Sequence, residues 1–424
     1  MAREMKDSGV AWIGEIPSDW KLSKIGSLYS QRIEKVSDKD YPPLSVTMKG
    51  ILPQLATAAK SDDGDNRKLV RIGDFAINSR SDRRGSCGVS LYDGSVSLIN
   101  IILTPRNTMN SGYYDWLFHT SLFADEFYKW GHGIVDDLWT TRWQEMKSII
   151  VPVPNLHEQE RIAHFLNQRC AEIDTVLDKT RTSIEEYKKL KQAIITQAVT
   201  KGIRGDRPMK ESGIEWVGEI PEEWAVAPKL SNLCYRSISY GIVKLFEPDD
   251  EHGVKVLRCS DILPGKILLN HVRTVKREVS DMYARTILQG GEVVINVRGT
   301  LGGCAVVSQN LCGYNVAREV AVIPVSNSVN NQFLMYYLLS DSFLNFESQH
   351  LLGSVYVGLN IALLSSCPIP CPPTIEQNEI VAHLNAECGK IDKMISKKEQ
   401  LLNELESYKK STIYEYVTGK KEVL

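Results

Sequence analysis

The sequence predicts an α+β fold made by tandem duplication, in which two mixed α/β heads are separated by two long helices that pair as an antiparallel coiled coil. A sixteen-residue landmark at 5–20 returns at 209–224 with ten identical positions. The stretch Glu158–Thr200 returns without a gap as Glu376–Thr418, at an offset of 218. Self-similarity on this scale indicates a repeated structural unit. Each copy of the second stretch has almost no Pro or Gly and carries apolar residues at alternating three- and four-residue steps, which is typical of a helical seam.

The duplication orders the domains along the chain. We predict a first head at 1–150, a helical spacer at 151–208, a second head at 209–367 and a second helical spacer at 368–424. Within the heads, short β-type runs are punctuated by Gly, Asn and Asp. These runs are 68–78, 95–104, 253–258, 292–298 and 319–325.

Each head also contains an aromatic-rich helical stretch, at 113–130 and 331–346. A Pro-rich exit follows, where proline forces extended backbone and prevents the long helix from starting early. Gly202, directly after the first repeated helix, is the expected C-cap.

A narrow apolar stripe flanked by charge needs a partner helix, and the nearest candidate for each long helix is its own duplicate. The alternative is two amphipathic helices that pack on separate globular cores. The 3.5-residue period continues over several heptads, which favours pairing. About 40 helical residues at ~1.5 Å each span ~60 Å, comparable to two turns of B-DNA at ~34 Å each.

The composition argues against disulfide-bonded, zinc-binding and membrane-spanning proteins. Nine cysteines without a CxxC pair indicate thiols in a reducing compartment, so disulfides and zinc sites are not expected. The N-terminal residues lack an apolar h-region, and a cytoplasmic location is expected. The apolar stretch 351–364 is shorter than the ~20 residues that a bilayer requires. The net charge of −2 gives no general attraction to nucleic acid, so DNA binding would need local basic patches.

Three motifs, each present in both halves, resemble one known family. They are the landmark Lys-x-Ser-Gly-x-x-Trp-x-Gly-Glu-Ile-Pro-x-x-Trp, the Pro-rich exit into Glu-Gln-x-x-Ile, and a helical end running from Tyr-Lys-Lys to Val-Thr. Together they resemble the specificity subunit of type I restriction-modification enzymes, over essentially the whole chain. The resemblance implies that 21–150 and 225–367 are target recognition domains, each reading one half of a bipartite site in double-stranded DNA.

The same resemblance implies that this chain is not catalytic and holds no cofactor of its own. Methylation would belong to modification subunits, two of them expected, that bind S-adenosylmethionine. Cleavage would belong to restriction subunits that use ATP, with magnesium expected in the partners. Neither a Gly-x-x-x-x-Gly-Lys-[Ser/Thr] phosphate loop nor an Asn/Asp-Pro-Pro-Tyr/Phe tetrapeptide occurs in the sequence.

Two other functions compete with this interpretation. The near-neutral charge permits a coiled-coil adaptor whose two heads bind proteins. Asp137, Glu145 and Lys147 have the residue order of a metal-dependent nuclease site. The residues between them do not alternate as a strand should, so chance composition is the better explanation of that pattern.

Specific DNA readout needs Arg, Lys, Asn or Gln side chains at base edges, while other basic and hydroxyl groups hold phosphates. In the first head, the candidates lie in a Gly- and Ser-containing loop after a strand and in a later stretch rich in glycine and aromatic residues. They are Asn78, Ser79, Arg80, Arg83, Arg84, Thr141 and Arg142. In the second head, they lie in the counterpart loop and in a basic cluster. They are Asn296, Arg298, Thr300, Arg273, Lys276 and Arg277.

Each candidate set has a structural alternative. Arg80 and Arg298 could belong to solvated turns, paired with local acids such as Asp82. The tryptophans near Thr141 could pack in the core, and the basic cluster of the second head could be a solvated face. The landmark tryptophans are expected to brace each head against the coil, with contact to a partner subunit as the alternative. They are Trp12, Trp20, Trp216 and Trp224.

Overall fold

The computed structural model describes the chain in seven stretches: 3–54, 64–133, 139–225, 228–243, 252–299, 302–351 and 358–423. The chain divides into two compact units. Unit 1 comprises Met1–Arg181 with Gln400–Leu424, and unit 2 comprises Thr182–Glu399. Each unit therefore contains one head together with part of each long helix.

Unit 1 is built mainly from short strands, as the Gly- and Asn-punctuated sequence predicts. Its strands are β1 (Met5–Asp7), β2 (Glu15–Pro17), β3 (Lys21–Lys24), β4 (Tyr29–Arg32), β5 (Lys35–Val36), β6 (Leu44–Thr47), β7 (Gly50–Pro53), β8 (Arg67–Val70), β9 (Phe75–Asn78), β10 (Cys87–Val89), β11 (Gly94–Val96), β12 (Asn100–Pro105) and β13 (Ile150–Val153). Its helices are α1 (Ile25–Leu28), α2 (Ser111–Phe118), α3 (Ser121–Lys129), α4 (Trp143–Met146) and the first part of α5 (Leu156–Lys201).

The main sheet of unit 1 has four antiparallel strands in the order β10-β9-β12-β4. A three-stranded sheet has the order β11-β8-β5, while β1-β2, β3-β13 and β6-β7 form two-stranded pairs. The β3-β13 pair joins the start of the head to the Pro-rich exit.

Unit 2 repeats this plan with shorter strands. Its strands are β14 (Met209–Glu211), β15 (Glu219–Pro221), β16 (Ser239–Tyr240), β17 (Val254–Leu257), β18 (Ile262–Leu263), β19 (Lys266–Ile267), β20 (Arg273–Val275), β21 (Val293–Asn296), β22 (Cys304–Val306), β23 (Asn315–Val316) and β24 (Val320–Ile323). Its helices are α6 (Arg277–Asp281), α7 (Asn331–Leu338), α8 (Asp341–Leu351), α9 (Ile361–Ser366), the second part of α5 and the first part of α10 (Thr374–Val417).

The four-stranded sheet of unit 2 has the order β16-β24-β21-β22, which is the order of unit 1 read from the other edge. The three-stranded sheet β20-β17-β23 contains the parallel pair β17-β23. Isolated bridges Ala225↔Cys371 and Lys229↔Pro368 stand where unit 1 has its β3-β13 pair.

Each unit takes its core from one head and from both long helices. In unit 1, Leu166 of α5 and Val417 of α10 are buried with the head aromatics. In unit 2, Val199 of α5 and Leu384 of α10 are buried with the second head. Each head is therefore completed by the start of one long helix and the end of the other.

The two long helices pack antiparallel within each unit, which confirms the predicted pairing and fold class. In unit 1, Lys409 Nζ lies 2.6 Å from Asp174 Oδ1, and the Phe165 and Tyr416 ring centroids are 4.4 Å apart. In unit 2, Lys191 Nζ lies 2.7 Å from Asp392 Oδ1. The two ion pairs join residues that correspond at the offset of 218. Between them, the seam of α10 is only half-buried over 395–405.

The landmark tryptophans fix each head to the first turn of a long helix. Trp20 Nε1 donates to Glu158 Oε2 at 2.8 Å, and Trp224 Nε1 donates to Glu376 Oε2 at 3.0 Å. Trp12 packs edge-on against Phe123 in the core of unit 1. Trp216, the fourth of the set, contacts the Phe346 ring. The hydrogen bonds of Trp20 and Trp224 agree with the predicted bracing role, whereas the ring contacts of Trp12 and Trp216 are with aromatic residues of their own heads.

Three further expectations concern helix ends, thiols and apolar stretches. Gly202 follows α5 with φ +75°, as predicted for a C-cap. All nine cysteines are free thiols. Within the described stretches, every helix is either too short or too polar to cross a bilayer.

Candidate nucleic-acid interface

Two candidate segments of the first head meet in space. The loop after β9 pairs with the segment before α4 through the bridge Arg80↔Thr140. Ser81 N donates to Trp139 O at 3.0 Å, and Thr141 N donates to Ser79 O at 3.0 Å. The two candidate segments of the first head therefore lie side by side at 79–81 and 139–141.

The second head has the same arrangement at corresponding positions. The loop after β21 forms the bridge Arg298↔Gly358, and Leu359 N donates to Val297 O at 2.9 Å. In both heads the paired segment then enters a short helix. Arg142 is the N-cap residue of α4 and Asn360 is the N-cap of α9. Arg80 and Arg298 thus occupy equivalent places, 218 residues apart.

Arg80 and Arg298 both present exposed side chains. Asp82, the acid named as a local partner for Arg80, instead lies 3.6 Å from Arg83. Among the described residues, neither Arg80 nor Arg298 has a carboxylate within ion-pair distance. The alternative of a turn neutralised by local acids therefore does not fit these two arginines.

Three other predicted side chains are buried, and two of them make structural hydrogen bonds. Ser79 is buried at the start of the loop. Thr141 Oγ1 donates to Phe127 O at 2.9 Å, and Asn296 Nδ2 donates to Cys259 O at 3.0 Å. Sequence alone could not separate these residues from Arg80 and Arg298, because the carbonyl groups that accept from Thr141 and Asn296 come from segments distant in the chain. Their burial favours a role in holding the loops, and DNA contact by these three side chains stays a prediction.

Arg84 is engaged by its own head. It pairs with Asp125, and its Cζ lies 5.8 Å from the centroid of the Tyr128 ring. Tyr128 Oη donates to Asn78 O at 2.9 Å, which ties α3 to the end of β9. Burial raises the pKa of Tyr128, which keeps its hydroxyl protonated, and therefore a donor, to a pH further above neutral. Trp139 Nε1 donates to Tyr128 O at 2.8 Å, which gives this tryptophan the packing role foreseen as its alternative.

The remaining candidates of the second head lie in an edge strand of its smaller sheet and at the start of the helix that follows it. Arg273 is in β20, Lys276 precedes α6 and Arg277 begins it. Arg258, which the sequence did not single out, connects this region to the loop. Its Nη2 donates to His271 O at 3.2 Å, and the next residue, Cys259, accepts from Asn296. The sequence signal that could have identified Arg258 is a basic residue directly after β17. Thr300 lies outside the described residues.

The nuclease pattern receives no geometric support. Asp137 lies outside the described residues. Glu145 accepts from Arg142 N at 3.1 Å and thereby caps α4. Within the described stretches, no group of three His, Cys, Asp or Glu side chains is arranged to hold a metal ion.

Comparison with known proteins gives a consistent picture. Residues 237–407 match the family described as Type I restriction modification DNA specificity domain. The type I restriction enzyme MjaVIII specificity subunit of Methanocaldococcus jannaschii is 26% identical over 425 positions, covering 96% of this chain and 93% of that relative. The EcoBI specificity subunit of Escherichia coli is 27% identical over 263 positions, covering 59% of this chain and 54% of the relative.

Solved structures share the fold. A chain from a study of complex assembly and conformational transition of the type I R-M system has a TM-score of 0.73 at 14% identity, covering 96% of this chain and 99% of that chain. The HsdS subunit from Thermoanaerobacter tengcongensis has a TM-score of 0.51 at 16% identity, covering 96% of this chain and 98% of that chain.

Proposed function

Because the chain belongs to the specificity subunits of type I restriction-modification enzymes, we propose that each of its heads reads one half of a bipartite DNA site. The chain is the DNA specificity subunit of such an enzyme and is itself non-catalytic. One observation carries the proposal of two reading heads. Arg80 and Arg298 are exposed, correspond in the repeat, and have no carboxylate partner among the described residues.

The charge balance favours local contacts over general attraction. Residues 21–150 carry 17 basic and 15 acidic side chains, and residues 225–367 carry 12 and 11, so neither head has a strong positive field. Affinity for phosphates grows with the number of cations that a protein brings to the backbone. We therefore propose that the heads supply base contacts and that partner subunits supply much of the phosphate contact.

Selection from a randomised double-stranded DNA pool tests the function. The purified chain, alone and with its modification subunits, should enrich a motif of two fixed halves separated by a gap of constant length. Enrichment should be stronger with the modification subunits. Failure of both samples to enrich a two-part motif would reject the proposal and favour a protein-binding adaptor.

Arg80→Ala is expected to weaken discrimination at one base pair of one half-site by about 10- to 100-fold, because a bidentate arginine contact contributes ~1–3 kcal/mol of specificity. The other half-site should be unaffected. Arg84→Ala is the matched control, since Asp125 already holds that guanidinium and its removal should change specificity less. Competition binding with single-base variants of the DNA site measures the base discrimination of both protein variants. Equal loss in the two half-sites would contradict a separate reading role for Arg80.

The long helices present one apolar pair in each unit for the proposed modification subunits. In unit 1, Val176 lies two residues after Asp174, and Tyr408 lies one residue before its ion-pair partner Lys409. In unit 2, Met394 and Leu190 have the same positions relative to the Asp392–Lys191 ion pair. All four apolar side chains are more than 40% exposed. Exposed apolar groups at repeated positions fit a partner that binds twice. We propose two modification subunits, which bring S-adenosylmethionine, and restriction subunits, which bring ATP and magnesium.

Charge placed in these apolar pairs should remove modification subunits one at a time. Val176→Asp or Met394→Asp alone should reduce the number bound from two to one, and the double variant should bind none, because a carboxylate is costly to bury in an apolar contact. Lys179→Asp, on an exposed site of the same helix, is the control for added charge. Mass photometry of the assembled complex gives the stoichiometry. Two subunits bound to the double variant would exclude this docking surface.

A further inference from the structure

Arg298 lies in a slot formed by three neighbours. Its Cζ lies 5.8 Å from the centroid of the Tyr240 ring. Gly358 packs against its aliphatic stem so closely that a Cβ added there would lie 3.1 Å from Arg298 Cγ. The backbone turns immediately afterwards, because Gly299 has φ +76°, a conformation that favours glycine. These contacts restrict the directions in which the guanidinium can point.

Tyr240 is itself held at two points. It lies in β16, at the edge of the four-stranded sheet, where its backbone pairs with Ala321. Its Oη accepts a hydrogen bond from Ile361 N, the first residue of α9, at 3.0 Å. One tyrosine therefore connects the sheet edge, the Arg298 guanidinium and the segment that follows Gly358.

Arg298 is the candidate for contact with bases in this loop, because the two residues before it are buried. Asn296 is buried and donates to the carbonyls of Cys259 and Ile262. Val297 is fully buried. Within 296–299, Arg298 is thus the residue that presents a polar side chain to solvent.

We propose that Tyr240 is a positioning residue that presents Arg298 to a guanine in the half-site read by unit 2. Guanine offers two adjacent major-groove acceptors, N7 and O6, which match two N–H donors of one planar guanidinium. That match depends on the orientation of the guanidinium plane, which a ring face below the cation helps to fix. A phosphate contact needs less orientation, because a mobile cation can make it. This inference rests on the proposed DNA-reading function.

The first head provides an internal comparison. There, among the described residues, the ring contact goes to Arg84, which Tyr128 and Asp125 hold, and not to Arg80. Loss of Tyr240 should therefore alter one half-site and leave the half-site of unit 1 unchanged.

The test uses the complete complex of this chain with its modification subunits and the randomised DNA pool. Arg298→Lys keeps the charge but removes the planar pair of donors, and it should reduce the preference for guanine at one position by about tenfold. Tyr240→Leu should reduce the same preference by about three- to fivefold. Tyr240→Phe keeps the ring and should largely restore it. Tyr235→Leu is the matched control, because it removes a ring that carries the cation of Arg236 in the same head.

The outcomes separate the two levels of the proposal. If the unaltered complex selects no two-part motif, the DNA-reading function itself fails. If it selects a motif but Tyr240→Leu and Arg298→Lys leave base preference unchanged, only the positioning role fails. A purely structural tyrosine would lower the melting temperature and weaken every sequence equally. A uniform loss with a smaller salt dependence would identify Arg298 as a phosphate contact and overturn the guanine assignment.

Discussion

Glu376→Ala is expected to lower the free energy of unfolding of unit 2 by about 3–5 kcal/mol, because it would leave a buried guanidinium without its counterion. Glu376 Oε1 lies 2.7 Å from Arg207 Nη1, and the two side chains are 2% and 9% exposed. The other carboxylate oxygen accepts from Trp224 Nε1. The Arg207 Cζ also lies 5.5 Å from the centroid of the Trp224 ring. One truncation therefore disrupts the whole brace between the second head and α10.

Unit 1 supplies the matched control for this prediction. Glu158 corresponds to Glu376 and contacts Arg3 and Trp20 in the same way, but the Arg3 and Glu158 side chains are 21% and 16% exposed. Glu158→Ala should therefore cost about 1–2 kcal/mol, since water can solvate the freed cation. Urea titration followed by hydrogen exchange reports each unit separately. Equal losses in the two units would contradict burial as the cause. Replacing Arg207 and Glu376 together with Met and Gln should recover much of the stability.

Matched deletion of 179–185 from α5 and 398–404 from α10 is expected to shorten the gap between the two half-sites and leave their base sequences unchanged. Seven residues are close to two helical turns, so the apolar seam stays in phase, while the helices lose ~10 Å. At ~3.4 Å per base pair, the gap should shorten by up to about three base pairs. The Asp174–Lys409 and Lys191–Asp392 ion pairs lie outside the deleted segments and can re-form.

Deletion from only one helix is the control. It would shift one ion pair seven residues out of register with the other, so the protein should lose stability and fail to select a motif. Pool selection with both proteins measures the gap and the half-site sequences together. A changed base sequence after the matched deletion would show that the long helices affect which bases the heads select, and not only the gap between the half-sites. An unchanged gap would show that the long helices do not set it.

Local periodicity accounts for the elements that the sequence predicted well. The long helices repeat their apolar residues every 3.5 positions, and β9 and β21 carry apolar residues at corresponding positions, 218 residues apart. These patterns need no knowledge of distant residues. The placement of Arg80 and Arg298 after corresponding strands followed from the repeat in the same way.

Long-range contacts account for what the sequence did not reveal. Tyr128 and Tyr240 acquire their roles from segments that the chain brings back from elsewhere, such as Ile361, which lies 121 residues beyond Tyr240. The burial of Asn296 likewise depends on carbonyls 34 and 37 residues away. The repeat also suggested equivalent roles for Asn78 and Asn296, but Asn78 Oδ1 accepts from Arg80 N and Asn296 supports a different loop. Divergence between the two heads is visible only in their tertiary contacts.

The contribution of the end of α10 to unit 1 has a consequence for synthesis. Tyr113 Oη donates to Val417 O at 2.8 Å, and Val417 is fully buried in the core of unit 1. Unit 2, Thr182–Glu399, is one continuous segment and can close before that residue is translated. At ~5–20 residues per second, the first head would wait roughly 10–50 s on the ribosome with apolar surface uncovered. The part of the protein that is made first is therefore finished last, which makes the nascent first head the segment that most needs protection by chaperones.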